Sequence, residues 1–250
     1  MYSKAIVRRP GSNFAEGITT SNLGKPDFEK AINQHSAYCD ALTRCGLELI
    51  ILEADQRYPD GCFVEDTAIV TGEVAVITRP GAASRMGEEA EISAVLSEFR
   101  KIETINPPGT LDGGDVLRVE NHFFIGISER TNREGASQLS AILSEYGYRA
   151  SETEVGAGLH LKSGIAYLTK GNFISVKGFS KITGSSGIII SDTKESYSAN
   201  CLAVNDFLLI PGGFPKSKEK IVELGYSIIE LDMSEFRKMD GGLTCLSLLL

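Results

Sequence analysis

Long apolar runs are missing from this 250-residue chain. No stretch approaches the ~20 apolar residues of a membrane helix, and the opening Met1-Tyr-Ser-Lys-Ala-Ile-Val-Arg-Arg-Pro10 lacks the roughly 7–15-residue apolar segment of a signal peptide. A cytoplasmic protein with no membrane partner is therefore expected. Basic charge is also in short supply. The 25 Lys and Arg stand against 33 Asp and Glu, and a formal net charge of −8 opposes attraction to phosphate backbones, so nucleic acid is not an expected partner. Histidine is scarce: His35, His122 and His160 are the only three. None lies at ligand spacing from another histidine or a cysteine pair, which argues against a zinc site. The five cysteines, Cys39, Cys45, Cys62, Cys201 and Cys245, are odd in number, scattered and without a CxxC pair. They read as reduced thiols rather than a disulfide framework. Glycine-rich pieces such as Pro211-Gly-Gly-Phe214 match neither a phosphate loop nor a dinucleotide fingerprint and read as turns.

The chain does contain a repeat. With 42% hydrophobic and 23% charged residues it has ordinary globular composition, and four segments read as strand, tight turn, strand. They are Phe63 to Val70 with Val74 to Pro80, Gly114 to Val119 with His122 to Ile127, Leu159 to Leu168 with Asn172 to Val176, and Ala199 to Val204 with Phe207 to Ile210. The turns carry Thr71-Gly72, Glu120-Asn121, Lys170-Gly171 and Asn205-Asp206, residues suited to tight reversal. Helical patterns run from Phe28 to Cys45, Met86 to Phe99, Thr131 to Tyr146 and Pro215 to Leu224. Further short strands follow at Leu47 to Leu52 and Tyr226 to Leu231.

The module is hairpin, helix, strand, with a period of roughly 40–50 residues. Leu243 to Leu250 begins a fifth hairpin, and Ala5-Ile-Val7 can supply its missing partner. The expected fold class is α/β: one domain over 1–250 in which five modules close into a propeller-like ring, the N- and C-terminal strands completing it. An open α/β sheet is the alternative.

Equivalent positions on the first strand of each module should face the axis of such a ring together. Those positions hold Glu65 and Asp66, Asp112, His160, Asn200 and Cys245, and of these Glu65, Asp66, Asp112, His160 and Cys245 are expected to line one axial cavity. A carboxylate, an imidazole and a thiol from separate modules would supply an orienting acid, a base and a nucleophile. The acid clusters Pro59-Asp-Gly-Cys-Phe-Val-Glu-Asp66 and Leu111-Asp-Gly-Gly-Asp115 are embedded in apolar strand residues. Buried carboxylates need a cation, and a guanidinium matches them in planar bidentate fashion. Arg85 and Arg130 follow the second strands of consecutive modules and could clamp a carboxylate.

In Leu23-Gly-Lys-Pro-Asp27, Phe63-Val-Glu-Asp66, Ile77-Thr-Arg-Pro-Gly81 with Ser84-Arg85, Thr110-Leu-Asp-Gly-Gly-Asp115, Arg130-Thr-Asn132, Leu159-His-Leu-Lys162, Ser198-Ala-Asn-Cys201 and Asp240-Gly-Gly-Leu-Thr-Cys245, taken in this order, the chain resembles the dimethylarginine dimethylaminohydrolases. The likeness is to their short bacterial form, within the pentein superfamily of five-bladed β/α propellers. It implies hydrolysis of Nω-methylated L-arginine to citrulline, with no metal or organic cofactor. Cys245 would be the nucleophile, His160 the general acid and base, and Asp112 the orienting carboxylate, in a place where bacterial members carry glutamate. The same likeness puts Glu65, Asp66 and Asp240 around the guanidinium and Arg85 and Arg130 on the α-carboxylate. It puts Asp60 near the α-amine with the backbone of Ile18 and Met239. An arginine or agmatine deiminase, a thiol protease and a catalytically inactive binding ring are the competing readings. A homodimer is the expectation from symmetry statistics.

Overall fold

A computed structural model describes residues 1–155, 159–179, 187–190 and 192–250. In chain order the elements are β1 (Lys4–Arg8), α1 (Phe28–Arg44), β2 (Glu48–Leu52), β3 (Ala68–Val70), β4 (Val74–Ile77), α2 (Glu89–Leu96) and β5 (Lys101–Thr104). Then come β6 (Val116–Val119), β7 (His122–Ile127), α3 (Arg133–Glu145), β8 (Arg149–Glu154), β9 (Ile165–Thr169), β10 (Asn172–Val176) and β11 (Ile188–Ile190). Finally β12 (Leu202–Val204), β13 (Phe207–Pro211), α4 (Pro215–Glu223), β14 (Ser227–Leu231), α5 (Ser234–Arg237) and β15 (Leu248–Leu249) complete the order.

These strands form five three-stranded sheets of one plan, β15-β1-β2, β3-β4-β5, β6-β7-β8, β9-β10-β11 and β12-β13-β14. In each, the first pair is antiparallel and the third strand is parallel to the second. A parallel return needs a crossover, and α1, α2, α3 and α4 supply it in four of the five modules. The expected pairing of the termini is present: Ala5 faces Leu249 and Ile6 faces Leu248.

Local chemistry explains the elements. The Asp27 carboxylate accepts from Lys30 N to start α1, whose buried Ala31, Gln34, Tyr38, Ala41 and Leu42 recur at helical spacing. The Asn132 side chain caps α3 through Gly135 N, and the same oxygen accepts from Thr110 N. Hairpin turns place Glu120, Lys170 and Asn205 at φ of 54°, 52° and 51°, matching the tight turns read from sequence. One helix is shorter than expected. The pattern from Met86 to Phe99 yields a helix only over Glu89–Leu96, because Gly87 sits at φ 103° and breaks the helical path.

A second correction matters more. The readings of the first strands begin within 3-10 turns or at their ends, and the fourth reading, from Ala199, meets only the last residue of its turn. The turns are Val64–Thr67, Gly113–Asp115, Leu161–Ser163, Thr193–Ala199 and Thr244–Leu246. Each is closed by a backbone bond between residues i and i+3: Asp66 N to Phe63 O, Asp115 N to Asp112 O, Ser163 N to His160 O, Asn200 N to Tyr197 O and Cys245 N to Gly242 O. A strand at these positions would spend its amides on the ladder. The turns leave amides free for buried carboxylates.

Apolar burial is spread over clusters between neighbouring sheets and helices rather than one central core. The first strands of adjacent modules lie against one another, β15 by β3, β6 by β9 and β9 by β12. Among the described residues, no helix is long and apolar enough to cross a membrane.

Candidate active site

The 3-10 turns of successive modules touch in order: Thr244–Leu246 against Val64–Thr67, then Gly113–Asp115, Leu161–Ser163 and Thr193–Ala199. Asn200 at the end of the last returns to the first, accepting from Thr244 N at 3.0 Å and donating to Thr244 Oγ1 at 3.1 Å. This brings the polar residues of successive modules close to one another.

Asp112 is fully buried. Its Oδ1 accepts from Gly81 N at 2.8 Å and its Oδ2 lies 3.1 Å from His160 Nε2, with Arg130 Nη1 at 4.0 Å. The other face of the imidazole packs on Gly114, where an added Cβ would stand 2.6 Å from His160 Nδ1, so only glycine fits. Asp66, also buried, accepts from Gly114 N at 2.8 Å and from Arg85 Nη1 at 2.6 Å. Burial alone would lower the His160 pKa, but Asp66, the hydrogen bond to Asp112, and Asp115 outweigh it and raise it to about 9. Burial would raise Asp66, yet His160 and Arg85 hold it below the usual carboxylate range.

Cys245 is the only cysteine that is not buried outright. Burial of the sulfur, with Glu65 and Asp66 nearby, pushes its thiol up to about 12, and the Gly242 amide at 3.4 Å offsets this only in part. The turn before it is pinned from behind: the Tyr38 hydroxyl of α1 donates to Leu243 O at 2.8 Å.

His160, Asp66 and Cys245 face a single narrow cleft, together with Ile18, Asp60, Arg85, Arg130, Met239 and Asp240. Phe63, Leu159 and Gly241 complete its walls. Its free volume is about 30 Å³. Ile18 N donates to both Asp60 oxygens at 3.1 Å. Asp240, at φ 57°, accepts from Thr20 N at 2.5 Å and from the hydroxyls of Thr19 and Thr20, so it fastens the segment that passes over the cleft.

The expectation that Glu65, Asp66, Asp112, His160 and Cys245 line one axial cavity is not met. A separate cavity of about 760 Å³ lies along the five first strands, and of these five residues only Glu65 faces it. Glu65 Oε1 pairs with Lys162 at 2.5 Å and Oε2 accepts from Thr244 Oγ1 at 2.9 Å. With Asn200 donating to Lys162 O at 3.3 Å, this network ties four modules together beside the cavity. The physical reason is that a buried carboxylate takes the nearest cation, and Lys162 follows His160 by only two residues.

Lys162, Thr244 and Glu88 are contributors that the sequence reading passed over. The first two were within reach of it, since they flank His160 and Cys245 in the quoted motifs. Glu88 carries no such signal, because it reads as ordinary charge in a helix's first turn.

The donor atoms of Asp66, Asp112 and His160 lie within 4.8 Å of one another, a grouping that could hold a cation. Each is already engaged, Asp66 by Arg85 and Asp112 by His160 and Gly81 N, and Arg85 and Arg130 add positive charge beside them. The arrangement suits a planar cationic group entering the cleft better than a metal ion held behind it.

A family model described as N,N dimethylarginine dimethylhydrolase, eukaryotic, matches residues 20–169. The N(G),N(G)-dimethylarginine dimethylaminohydrolase of Pseudomonas aeruginosa is 45% identical over 256 residues, covering 99% of both chains. A crystal structure of the Pseudomonas aeruginosa protein, a cysteine-to-serine mutant complexed with citrulline, superposes with a TM-score of 0.98 at 44% identity over the full length of both chains. The N-terminal domain of ArgZ, a cyanobacterial arginine dihydrolase, shares the fold alone, with a TM-score of 0.88 at 19% identity, covering 100% of this chain and 97% of that one.

Proposed function

The chain belongs to the dimethylarginine dimethylaminohydrolase family, and on that footing we propose that it hydrolyses Nω-methylated L-arginine to L-citrulline and dimethylamine or methylamine. The observation that carries the reading is the buried His160–Asp112 pair, 3.1 Å apart, whose imidazole faces the same cleft as the Cys245 thiol, the Asp66 carboxylate and two arginines.

Cys245 is the nucleophile, His160 the general acid and base, and Asp112 the group that orients the imidazole. Asp66 receives the guanidinium, with Glu65 and Asp240 contributing negative charge from the axial network and the covering segment. Arg130 and Arg85, whose Nε has no hydrogen-bond partner among the described residues, take the α-carboxylate. Asp60 takes the α-amine, beside the backbone of Ile18 and Met239.

Before substrate binds, the thiol is neutral, chiefly because it is buried and secondarily because Glu65 and Asp66 lie near it, while Asp66, Asp112 and Asp115 keep His160 an imidazolium. A guanidinium arriving beside the sulfur reverses the field there, and the thiol loses its proton to solvent. The thiolate attacks the guanidinium carbon, giving a neutral tetrahedral adduct. The His160 imidazolium protonates the methylated nitrogen, the C–N bond breaks and the amine leaves. A cationic thiouronium remains on Cys245. Neutral His160 then takes a proton from water as its oxygen attacks the same carbon. Collapse breaks the C–S bond, and the hydroxyl proton of the second adduct returns the sulfur to a thiol as citrulline departs.

We also infer that the five sheets close into one ring forming a single domain over 1–250. The terminal β1–β15 pairing and the contacts between successive 3-10 turns support this.

The deciding assay mixes the purified protein with asymmetric dimethylarginine, monomethylarginine and unmodified arginine, and measures citrulline with the matching amine or ammonia. Citrulline from the methylated substrates, with Cys245→Ser inactive, is expected. Citrulline from arginine alone would replace the proposal with a deiminase, and undiminished turnover by Cys245→Ser would remove the covalent step.

A further inference from the structure

Glu88 is a carboxylate that the proposed chemistry does not use. It precedes α2 and packs under Arg85, with only 2% of its side chain exposed. Oε1 stands 2.5 Å from Arg85 Nη2, and among the described residues Arg85 is the one partner this carboxylate has. Asp66, on the other edge of the same guanidinium, is far better served: it accepts from Arg85 Nη1 and from Gly114 N and feels the His160 charge. Arg85 thus stands between two buried carboxylates of unequal support, with Nη2 also donating to Phe63 O at 3.1 Å. Its Nε has no acceptor among the described residues, and the side chain lines the cleft.

A substrate carboxylate brought to Arg85 would be the third anion on one guanidinium. A buried charge with a single partner is the first to be neutralised when that partner is shared. We propose that Glu88 is a positioning residue for the substrate α-carboxylate, taking up a proton from solvent as that carboxylate binds and so leaving the Arg85 charge to the substrate and Asp66. The inference rests on the reading that Arg85 meets the α-carboxylate.

The groups facing Glu88 are consistent with this. Arg85 stabilises its anion, while Asp66 and Asp60 oppose it from the two segments packed beside it. Of the acids that follow it, Glu89 accepts from Gly87 N and Glu91 from Arg8, so both carboxylates are engaged elsewhere. Burial, the leading cause, raises Glu88 to about 7 despite Arg85. Loss of part of Arg85 moves it higher. Binding therefore takes up no proton at pH 6, where Glu88 is already protonated, and takes one up above pH 7. The opposite sign marks the alternative. Asp60 would release any proton it held in order to meet the α-amine.

The test uses citrulline, whose side chain is neutral, titrated into the wild-type protein by calorimetry at pH 6 and pH 8. Each titration is run in two buffers of different ionisation enthalpy, below the His160 midpoint of about 9. Wild type should take up roughly half to one proton at pH 8 and almost none at pH 6, and its citrulline affinity should weaken about three- to tenfold between the two. Glu88→Gln, which mimics the protonated acid, should bind with little proton uptake and less than about twofold change in affinity over the same range. Its KM for dimethylarginine should lose its rise with pH, with the smaller effect in kcat. Absence of proton uptake by wild type at pH 8 overturns the inference without reference to any variant, as does equal uptake in Glu88→Gln. A wild-type protein that neither binds citrulline nor releases it from dimethylarginine removes the underlying function as well. Turnover with the wrong proton count overturns this inference alone.

Discussion

At neutral pH the sulfur of Cys245 carries its proton and His160 carries one more than the free side chain would, so the pair begins in the protonation state needed by the leaving amine rather than by the nucleophile. The imidazolium, not the thiol, is then the group whose loss limits activity at high pH. With a raised pKa of about 9, it is present below that value and disappears as pH rises through it, so kcat/KM should fall on the alkaline side near pH 9. Asp112→Asn removes one of the carboxylates that raise it. With burial opposed only by Asp66 and Asp115, the alkaline limb should move to lower pH, and kcat should drop by about 10–100-fold through loss of the oriented acid. A pH–rate profile of the variant beside wild type checks both. A limb that stays in place would mean that Asp66 and Asp115 alone set the His160 pKa.

Among the elements, β15 is the shortest strand described, yet it joins the two ends of the chain. Leu250 N donates to Lys4 O, and Ser3 N and Lys4 N both donate to Leu250 O. Leu248 and Leu250 are buried against Ile6, Val64 and Ala68. Removal of Leu248–Leu250 should cost about 3–6 kcal/mol for two buried leucines, and about 1 kcal/mol for each lost backbone bond. That is a large part of the ~5–15 kcal/mol of an ordinary domain. Urea unfolding of the truncated protein should show a much lower midpoint or no folded baseline. An unchanged midpoint would show that the terminal strand contributes nothing to holding the modules together. Cys245 lies in the turn just before this strand, so activity should fall along with stability.

For the whole molecule, the net charge of −8 favours the approach of a substrate with one net positive charge. The attraction is long-range and screened by salt, with a Debye length of about 10 Å at 0.1 M. Raising sodium chloride from 20 to 500 mM should therefore lower kcat/KM for dimethylarginine by about two- to fivefold. Binding of zwitterionic citrulline should change less. A kcat/KM independent of salt would confine the electrostatics to the cleft.

The repeat was legible in the sequence because alternating apolar residues and tight-turn dipeptides are local signals, and the observed strands β7 and β10 coincide with the readings His122 to Ile127 and Asn172 to Val176. Local signals also placed Cys245, His160, Asp66, Asp112 and Asn200 at one recurring position, since each follows from counting residues back from a hairpin. What no local pattern carries is the conformation and company of that position. The engagement of Glu65 by Lys162 and Thr244 joins residues 97 and 179 positions apart, and the separation of cleft from cavity and the burial of Glu88 near Asp66 and Asp60 likewise depend on segments distant in the chain. Alternation and turn chemistry act within a few residues of chain. The charge state of a buried acid is set by whatever the closed fold brings within a few ångströms, and only the tertiary structure decides that.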